Sequence, residues 1–333
     1  MGKISILLPV YNAAPWLEAC LSSIVQQTEQ DWELLAVNDF STDNSPTILR
    51  AFAQKDARIQ VLQNTQKGII HALRLAFAHS TGDLITRMDA DDLMVENKLE
   101  VLKKNLLDVG IGHVSTGLVK YFSDEQLGEG YQKYANWLNE LALGMTPYDE
   151  IYKECVIPSP CWMIYKTDLI RCGAFAPDTY PEDYDLCFRF YKHRIKPVST
   201  RQRIHLWRDH GARSSRTMEV YADNRFFDLK LDYFLELDYY HSRPIVLWGA
   251  GRNGKKLAQK LRQREQNFLW VCNNENKWGK EILDVTLSSY KTLPTIWQPQ
   301  ILVSVASPDG KSEIQSFLDL HQYQQNYHYF YFV

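Results

Sequence analysis

The sequence has no long apolar run, no paired cysteines and no excess of charge of one sign. Nowhere does it reach the roughly 20 consecutive apolar residues that cross a bilayer, so the chain is expected to be soluble, or at most peripheral to a membrane. Its six cysteines (Cys20, Cys155, Cys161, Cys172, Cys187, Cys272) form no C-x-x-C pair and no framework spacing. Scattered cysteines of this kind read as reduced, mostly buried thiols in a cytosolic protein. A formal charge of −3 over 333 residues leaves no global basic field, and no nucleic-acid partner is expected. The average conceals a split, because residues 241–333 carry 11 Lys/Arg against 7 Asp/Glu and the front of the chain is acidic. The opening run to Val10 is too short for a secretion signal and reads as a first strand.

What is present is an ordinary globular composition, 45% hydrophobic and 23% charged. The length allows one large domain or two smaller ones with a substantial core. One acidic stretch organises the front: Gly82-Asp83-Leu84-Ile85-Thr86-Arg87-Met88-Asp89-Ala90-Asp91-Asp92. Three carboxylates within four residues repel one another. At the end of a buried strand they can instead receive a hard divalent cation and the phosphates it carries. The alternative is an N-cap, with Asp91 or Asp92 capping the helix expected from about residue 96.

Apolar runs and helical periodicities alternate along the front. Strands are expected at residues 4–10, 32–37, 59–62 and 84–88, and helices at 16–27, 46–54 and 69–79. That order implies a doubly wound α/β sheet. Tyr11, Asp39 and Asp89 stand where strands end, and ligands in such sheets bind at the carboxyl ends of strands. These three residues should therefore share a crevice. A second acidic pair, Glu182-Asp183, opens a helix expected at residues 184–192; it is either a reactive pair or merely an acidic first turn.

The segments P-V-Y-N, V-N-D-F-S-T-D-N-S, K-G-I-I-H-A-L and T-G-D-L-I-T-R-M-D-A-D-D together resemble those of the inverting family 2 glycosyltransferases of GT-A fold. So do Ile157-Pro158-Ser159-Pro160, Gly173-Ala174-Phe175 and the run from Tyr180 to Leu186 with Arg189, in the family's order. The resemblance covers about residues 3–215. It implies a nucleotide site made from Pro9, Tyr11, Asn12, Asp39, Lys67, Arg74, Asp89, Ala90 and Asp91. Tyr11 would pack by the base, and Asp39 would accept from a ring N–H, since a carboxylate only accepts. The alternative for Asp39 is an Asx-turn capping the next helix.

The resemblance further implies Asp91 and His210 as ligands of Mn²⁺ or Mg²⁺, with Asp89 on the ribose or a metal-bound water. Asp92 would cap the helix. Asp183 would be the base that takes the acceptor hydroxyl's proton, and Glu182 would contact the acceptor or orient Asp183. Arg213 and Arg216 would clamp phosphate oxygens, the alternative being a basic surface loop. Arg201, Arg203 and Arg208 add positive charge suited to an anionic acceptor. The chain departs from the family at Ala72-Leu73-Arg74, where A-R-N-x-G is usual, and at Phe40, where glycine is usual. It has no Q-x-x-R-W segment, so addition of one sugar per encounter is expected.

The aromatic-rich residues 121–155 suit either sugar stacking or packing. Residues 220–240 read as a linking helix. From residue 243 the pattern restarts with a strand at Ile245–Trp248, the turn Gly249-Ala250-Gly251-Arg252-Asn253-Gly254 and a helix at 255–264. Further strands are expected at Phe268–Cys272, near 295–296 and at 301–304. The second strand ends in Asn273-Asn274, without the acidic residue that would hold a ribose hydroxyl. Gly249, Gly251 and Gly254 could receive a nucleotide or anion, or simply make a tight turn.

The expected architecture is therefore a GT-A-type doubly wound mixed sheet (1–218), a helical linker (219–242) and a small Rossmann-like α/β domain (243–333). The expected function is metal-dependent inverting transfer of one sugar, from a UDP-linked or other nucleotide donor to a saccharide or lipid-linked acceptor, in surface polysaccharide assembly. This places the protein in the cytoplasm or at the inner face of the membrane, with peripheral membrane contact and a homodimer as further expectations. The competing readings are a nucleotide-binding oxidoreductase or sensor acting through the tail, and an inactive binding module.

Overall fold

The computed structural model describes residues 2–123, 129–144, 146–211, 213 and 226–333. Contacts within the chain divide it into two units, Met1–Tyr148 with Val156–Thr217, and Asp149–Cys155 with Met218–Val333.

In the first unit Ile4–Val10 (β1) is buried at every position, as a strand covered on both faces must be. Ala14–Val25 (α1), Trp32–Asn38 (β2), Ser45–Lys55 (α2), Ile59–Gln63 (β3), Ile69–His79 (α3) and Leu84–Arg87 (β4) follow in strict alternation. Helix α1 turns Leu17, Cys20, Leu21 and Ile24 inward, the 3–4 spacing of an amphipathic helix. Its first amides find their acceptors on a different loop, with Ala13 N donating to Ser45 Oγ at 2.9 Å and Ala14 N to Asp43 Oδ2 at 2.9 Å. A helix start must satisfy such donors somewhere. Here they tie the turn after β1 to the turn after β2.

The chain continues through Leu93–Met94 (β5), Lys98–Val109 (α4), His113–Phe122 (β6), Glu129–Gly144 (α5), Trp162–Tyr165 (β7), Lys166–Arg171 (α6), Glu182–Lys192 (α7) and Lys196–Arg208 (β8). The eight strands order as β3-β2-β1-β4-β7-β6-β8-β5. β1 pairs in parallel with β2 and β4, whereas β7 runs antiparallel to both β4 and β6. The expected mixed, doubly wound sheet is thus present. From β1 the chain winds outward through β2 and β3, then returns to β4 on the other side. This is a topological switch point, where open α/β sheets leave a crevice.

The second unit holds Phe227–Leu237 (α8), Ile245–Trp248 (β9), Arg252–Gln263 (α9), Phe268–Cys272 (β10), Glu281–Ile282 (β11), Val285–Ser289 (β12), Gln300–Val303 (β13), Pro308–Leu320 (α10) and Tyr329–Tyr331 (β14). Its sheet order is β11-β12-β10-β9-β13-β14, parallel throughout apart from the β11–β12 pair. The strand expected near residues 295–296 is a correction. Tyr290–Thr295 is a 3-10 helix containing Pro294, which has no N–H for a ladder, and the strand is β12 instead. Residues 220–225 of the expected linking helix lie outside the described residues, and α8 is its described part.

Residues 149–155, read from sequence as part of the front, group with the second unit for visible reasons. The Tyr152 ring stacks on Phe332 with centroids 5.5 Å apart and donates its hydroxyl to Asp238 Oδ2 at 2.6 Å. Buried Lys230 donates to Lys153 O at 2.7 Å. Among the described residues no helix is long and apolar enough to cross a membrane.

Candidate active site

The register of the sheet sets the first half of the site. Val10 pairs with Asn38, so Tyr11 and Asp39 emerge side by side as the two strands end. Asp39 is 6% exposed. Its carboxylate takes Gly68 N on both oxygens at 3.0 Å and Asn64 Nδ2 on Oδ1 at 2.7 Å. It therefore holds the 64–68 loop and does not cap α2, whose Asx-turn is made by Asp43, with Ser45 N donating to Asp43 Oδ1 at 2.9 Å. A carboxylate has about four lone-pair sites, so Oδ2 keeps capacity for another donor. Tyr11 is exposed, and Lys67 lies over its ring at 4.4 Å while donating to its hydroxyl at 3.1 Å. Asn12 accepts from Thr42 N at 2.8 Å in a left-handed conformation. Pro9 is buried within β1, and Ala90 is buried between the two aspartates.

The second half surrounds the end of β4. Arg87, 5% exposed, donates from Nε to Asp89 Oδ1 at 2.9 Å and from Nη1 to Glu182 Oε1 at 2.8 Å. Burial alone would depress its pKa; Asp89, Glu182 and Asp183 reverse that and hold it cationic. Removing one partner from such a buried pair costs about 3–5 kcal/mol. Glu182 Oε2 is buried with no hydrogen-bond partner. Asp183, in the first turn of α7, accepts from Tyr184 N at 2.8 Å. Burial, reinforced by the neighbouring Glu182 charge, pushes the Asp183 carboxyl up to about 7 despite the pull of Arg87. A proton acceptor works best when its pKa lies near the operating pH.

Asp91 meets His210 from the turn after β8, with Nε2 and Oδ2 2.9 Å apart. The imidazole stacks on Trp16 of α1, centroids 3.7 Å apart, and its Nδ1 is buried without a partner. Among the described residues no three His, Cys, Asp or Glu side chains gather as a complete metal cage. Asp91 and His210 nonetheless fit a divalent ion, since an oxygen and a nitrogen donor already converge. An ion of the Mg²⁺ type usually takes only one or two carboxylates and completes its shell with water and substrate phosphates.

Of the other residues picked out from the sequence, Arg74 and Arg189 are engaged elsewhere, whereas Arg208 and the charge of Arg213 reach the acidic turn. Arg74 donates to Phe175 O, Ala176 O and Asp178 Oδ1, each at 2.5 Å, and so fastens the Gly-Ala-Phe turn to α3. Arg189 fastens that turn from the other side, donating to Cys172 O at 2.5 Å and Ala174 O at 2.7 Å. The Arg213 guanidinium lies 5.3 Å from the Trp207 ring centre and 5.4 Å from that of Tyr121. Tyr121 and Trp207 are themselves stacked and buried, so this part of the aromatic-rich region is packing. Arg216 lies outside the described residues. Arg201 and Arg203 are exposed as their charge suggests, but Arg208 is buried, donating from Nε to Asp91 O at 2.9 Å.

Sequence reading missed Arg87 and Trp16. The signal for Arg87 was available, since a lone arginine in an apolar strand needs buried partners. Trp16 gave none, because helical periodicity absorbs a tryptophan without comment.

In the C-terminal unit the glycine turn has a complete packing explanation at two positions. A Cβ on Gly254 would stand 1.9 Å from Gly249 O, and one on Gly249, at φ +124°, 2.6 Å from Ser304 Oγ. A Cβ on Gly251 would meet nothing within 4 Å. Beside the turn lies a cavity of about 240 Å³ lined by Gly251, Asn273, Lys277 and Ser307 among others.

Residues 5–173, half of the chain, match the family model described as Glycosyl transferase family 2. Glycosyltransferase GlyG of Streptococcus pneumoniae serotype 4 is 29% identical over 228 residues, covering 64% of this chain and 73% of GlyG. The Escherichia coli UDP-Glc:alpha-D-GlcNAc-diphosphoundecaprenol beta-1,3-glucosyltransferase WfgD is 38% identical over 109 residues, covering 31% of this chain and 42% of WfgD. The chain thus spans nearly three quarters of one relative's length and under half of the other's. Among solved structures, the mannosyltransferase PcManGT from Pyrobaculum calidifontis in complex with GDP-Man and Mn²⁺ superposes with a TM-score of 0.53 at 18% identity, over 71% of this chain and 64% of that one. At that identity the likeness speaks for the fold alone. With the switch-point crevice, the acidic turn and the family match in agreement, the chain belongs to glycosyl transferase family 2 and is a glycosyltransferase of GT-A fold.

Proposed function

We propose that this glycosyltransferase inverts the anomeric centre while moving a single sugar from a nucleoside-diphosphate donor to a saccharide or lipid-linked saccharide acceptor. The observation that carries the reading is the buried bridge Asp89–Arg87–Glu182, which joins the acidic turn to the first turn of α7, where Asp183 sits. One cation thereby holds the donor-side and acceptor-side carboxylates in fixed relation, as two-reactant chemistry requires.

In this reading Tyr11 and Lys67 receive the base, and the free capacity of Asp39 Oδ2 accepts a ring N–H. Asp89 takes the ribose. Asp183 accepts the proton of the acceptor hydroxyl as that oxygen bonds to the anomeric carbon, and the bond from that carbon to the diphosphate oxygen breaks on the opposite face. The unpaired Glu182 Oε2 is an acceptor for another hydroxyl of the incoming sugar. Asp91 and His210 would hold Mn²⁺ or Mg²⁺, which when bound supplies Lewis-acid neutralisation of the departing diphosphate. UDP is the favoured nucleotide, supported by the UDP-Glc named for WfgD, while the GDP-Man bound to PcManGT keeps GDP in the comparison. The diphosphoundecaprenol acceptor named for WfgD supports a lipid-linked acceptor. Such an acceptor would bring the protein to the inner face of the membrane, in surface polysaccharide assembly. The glycine turn of the C-terminal unit is given a packing role.

The test is thermal unfolding with UDP, GDP, TDP and NAD, each with and without Mn²⁺, on wild type and Asp91→Ala. The expected result is stabilisation by one nucleoside diphosphate that needs metal and is lost in the variant. Stabilisation by NAD alone, surviving Asp91→Ala, would overturn the proposal.

A further inference from the structure

Behind the acidic turn lies a chain of three charged or titratable side chains that none of the chemistry above uses. Asp92 is 1% exposed, His205 0% and Lys98 0%. Lys98 Nζ donates to Pro160 O at 2.5 Å and lies 3.2 Å from His205 Nδ1. His205 Nε2 stands 2.9 Å from Asp92 Oδ2, and Asp92 Oδ1 accepts Arg208 N at 2.8 Å. Buried polar groups are costly unless every member is bonded, and all three are.

The order of these contacts links three proton positions. With Lys98 donating to His205 Nδ1, Nε2 carries the hydrogen toward Asp92, and this is the arrangement the relay uses. Asp92 then faces two donors, His205 and the Arg208 amide, with its two oxygens. The Arg208 amide is where the consequence leaves the core. Arg208 returns a second bond from its guanidinium to Asp91 O at 2.9 Å, and two residues later His210 meets Asp91 Oδ2 at 2.9 Å. The end of β8 is thus clamped to the acidic turn at residues 91 and 92. The far end of the relay, Pro160, belongs to the Pro-Ser-Pro segment, which leads into β7 beside β4.

We propose that Lys98, His205 and Asp92 form a buried positioning relay that sets the distance between Asp91 and His210, and so tunes how tightly nucleoside diphosphate and divalent metal are held. Asp92 is a positioning residue here and not a helix cap, since α4 has no side-chain cap bond and begins at Lys98. The inference rests on the reading of Asp91 as the metal- and diphosphate-binding residue.

The test is calorimetric titration of UDP in the presence of Mn²⁺, with urea unfolding of each protein as a separate measure of folding. The proteins are wild type, Asp92→Asn, Lys98→Met, the double variant and Asp91→Ala. Asp92→Asn keeps an acceptor for Arg208 N but turns an amide donor toward His205, which then cannot accept from both sides. A loss of about 10- to 100-fold in UDP–Mn²⁺ affinity is expected, the range for removing a residue that orients a metal ligand. Lys98→Met removes the opposing donor, lets His205 shift its proton, and should restore most of that affinity in the double variant. A purely structural role would make the two substitutions additive. Wild-type affinity in Asp92→Asn, or additivity in the double variant, would overturn the relay. Should Asp92→Asn fail to fold, Lys98→Met alone decides. Freed from one fixed tautomer, His205 should bind Asp92 less well and weaken UDP–Mn²⁺ binding severalfold, and unchanged binding counts against the relay. Undiminished binding by Asp91→Ala would sink the underlying donor-site reading instead, so the two failures are distinguishable.

Discussion

Each unit of this molecule places its first strand between two parallel neighbours and sends it through a short turn into a helix, yet the two turns are built of opposite materials. After β1 the turn is made by side chains. Asn12 bonds across to Thr42, Asp39 holds Gly68, and Ser45 and Asp43 cap the helix that follows. After β9 the turn is made by backbone, with Gly249 and Gly254 in direct contact and a tryptophan indole, Trp270 Nε1, donating to Gly249 O at 2.7 Å. The first arrangement leaves carboxylates at the strand ends; β10, beside the second, ends in Asn273, whose buried Nδ2 has no partner, and Asn274. Topology supplies a crevice in both cases, and side-chain chemistry decides what the crevice can do.

The contrast can be broken most severely at Asp183. Asp183→Asn should lower the transfer rate by about 10²–10⁴-fold, the usual worth of a positioned base, while nucleotide stabilisation measured by thermal unfolding stays intact. A comparable loss of nucleotide binding would place Asp183 on the donor side instead. Its pH dependence has a fixed sign. Proton acceptance needs the ionised carboxylate, so kcat/KM should rise with pH through about 7 and then level. Stability should move the other way. The folded protein keeps this proton from the ordinary 3.8 up to about 7, so it binds more protons than the unfolded chain across that window and loses stability as pH rises through it. Urea midpoints of wild type and Asp183→Asn should diverge from pH 4 to pH 8, with the variant relatively more stable at the upper end.

Arg87→Met comes next. It strands the buried Glu182 carboxylate and the partly exposed Asp89 carboxylate at once and should cost about 3–5 kcal/mol in urea unfolding; a change under about 1 kcal/mol would mean that the bridge does not hold the site. Gly254→Ala should cost about 1–3 kcal/mol, the range for overpacking a tight contact, read in the unfolding of the C-terminal unit. Metal-dependent nucleotide stabilisation should persist in it. Gly251→Ala should fall within about 0.5 kcal/mol of wild type, since its Cβ enters open space. A large nucleotide-dependent effect at Gly251 would erase the distinction between the two turns.

The sheet was legible because its strands are long apolar runs separated by helical periodicities, and β1, α3, β9 and β10 fall on the residues expected. Legibility failed where local signals conflict with pairing. Val285–Ser289 alternates weakly and reads as loop, yet the parallel neighbour β10 recruits it. Residues 149–155 read as a continuation of the front because nothing in their composition announces Phe332 and Lys230 as partners. The acidic residues of the site were visible as a cluster. Their partners were not, since Arg87–Glu182 spans 95 positions and Asp92–His205 spans 113. Spacing along a chain reports helical and strand neighbours, and is silent about pairs formed only when two elements meet.

The Arg87 bridge also bears on how such a chain can change over generations. Replacing Arg87 leaves the Glu182 and Asp89 carboxylates without their shared cation, and replacing either carboxylate leaves the buried guanidinium one partner short, so each step alone costs stability. The three positions are accordingly expected to change together, an altered donor grip arriving with an altered acceptor side.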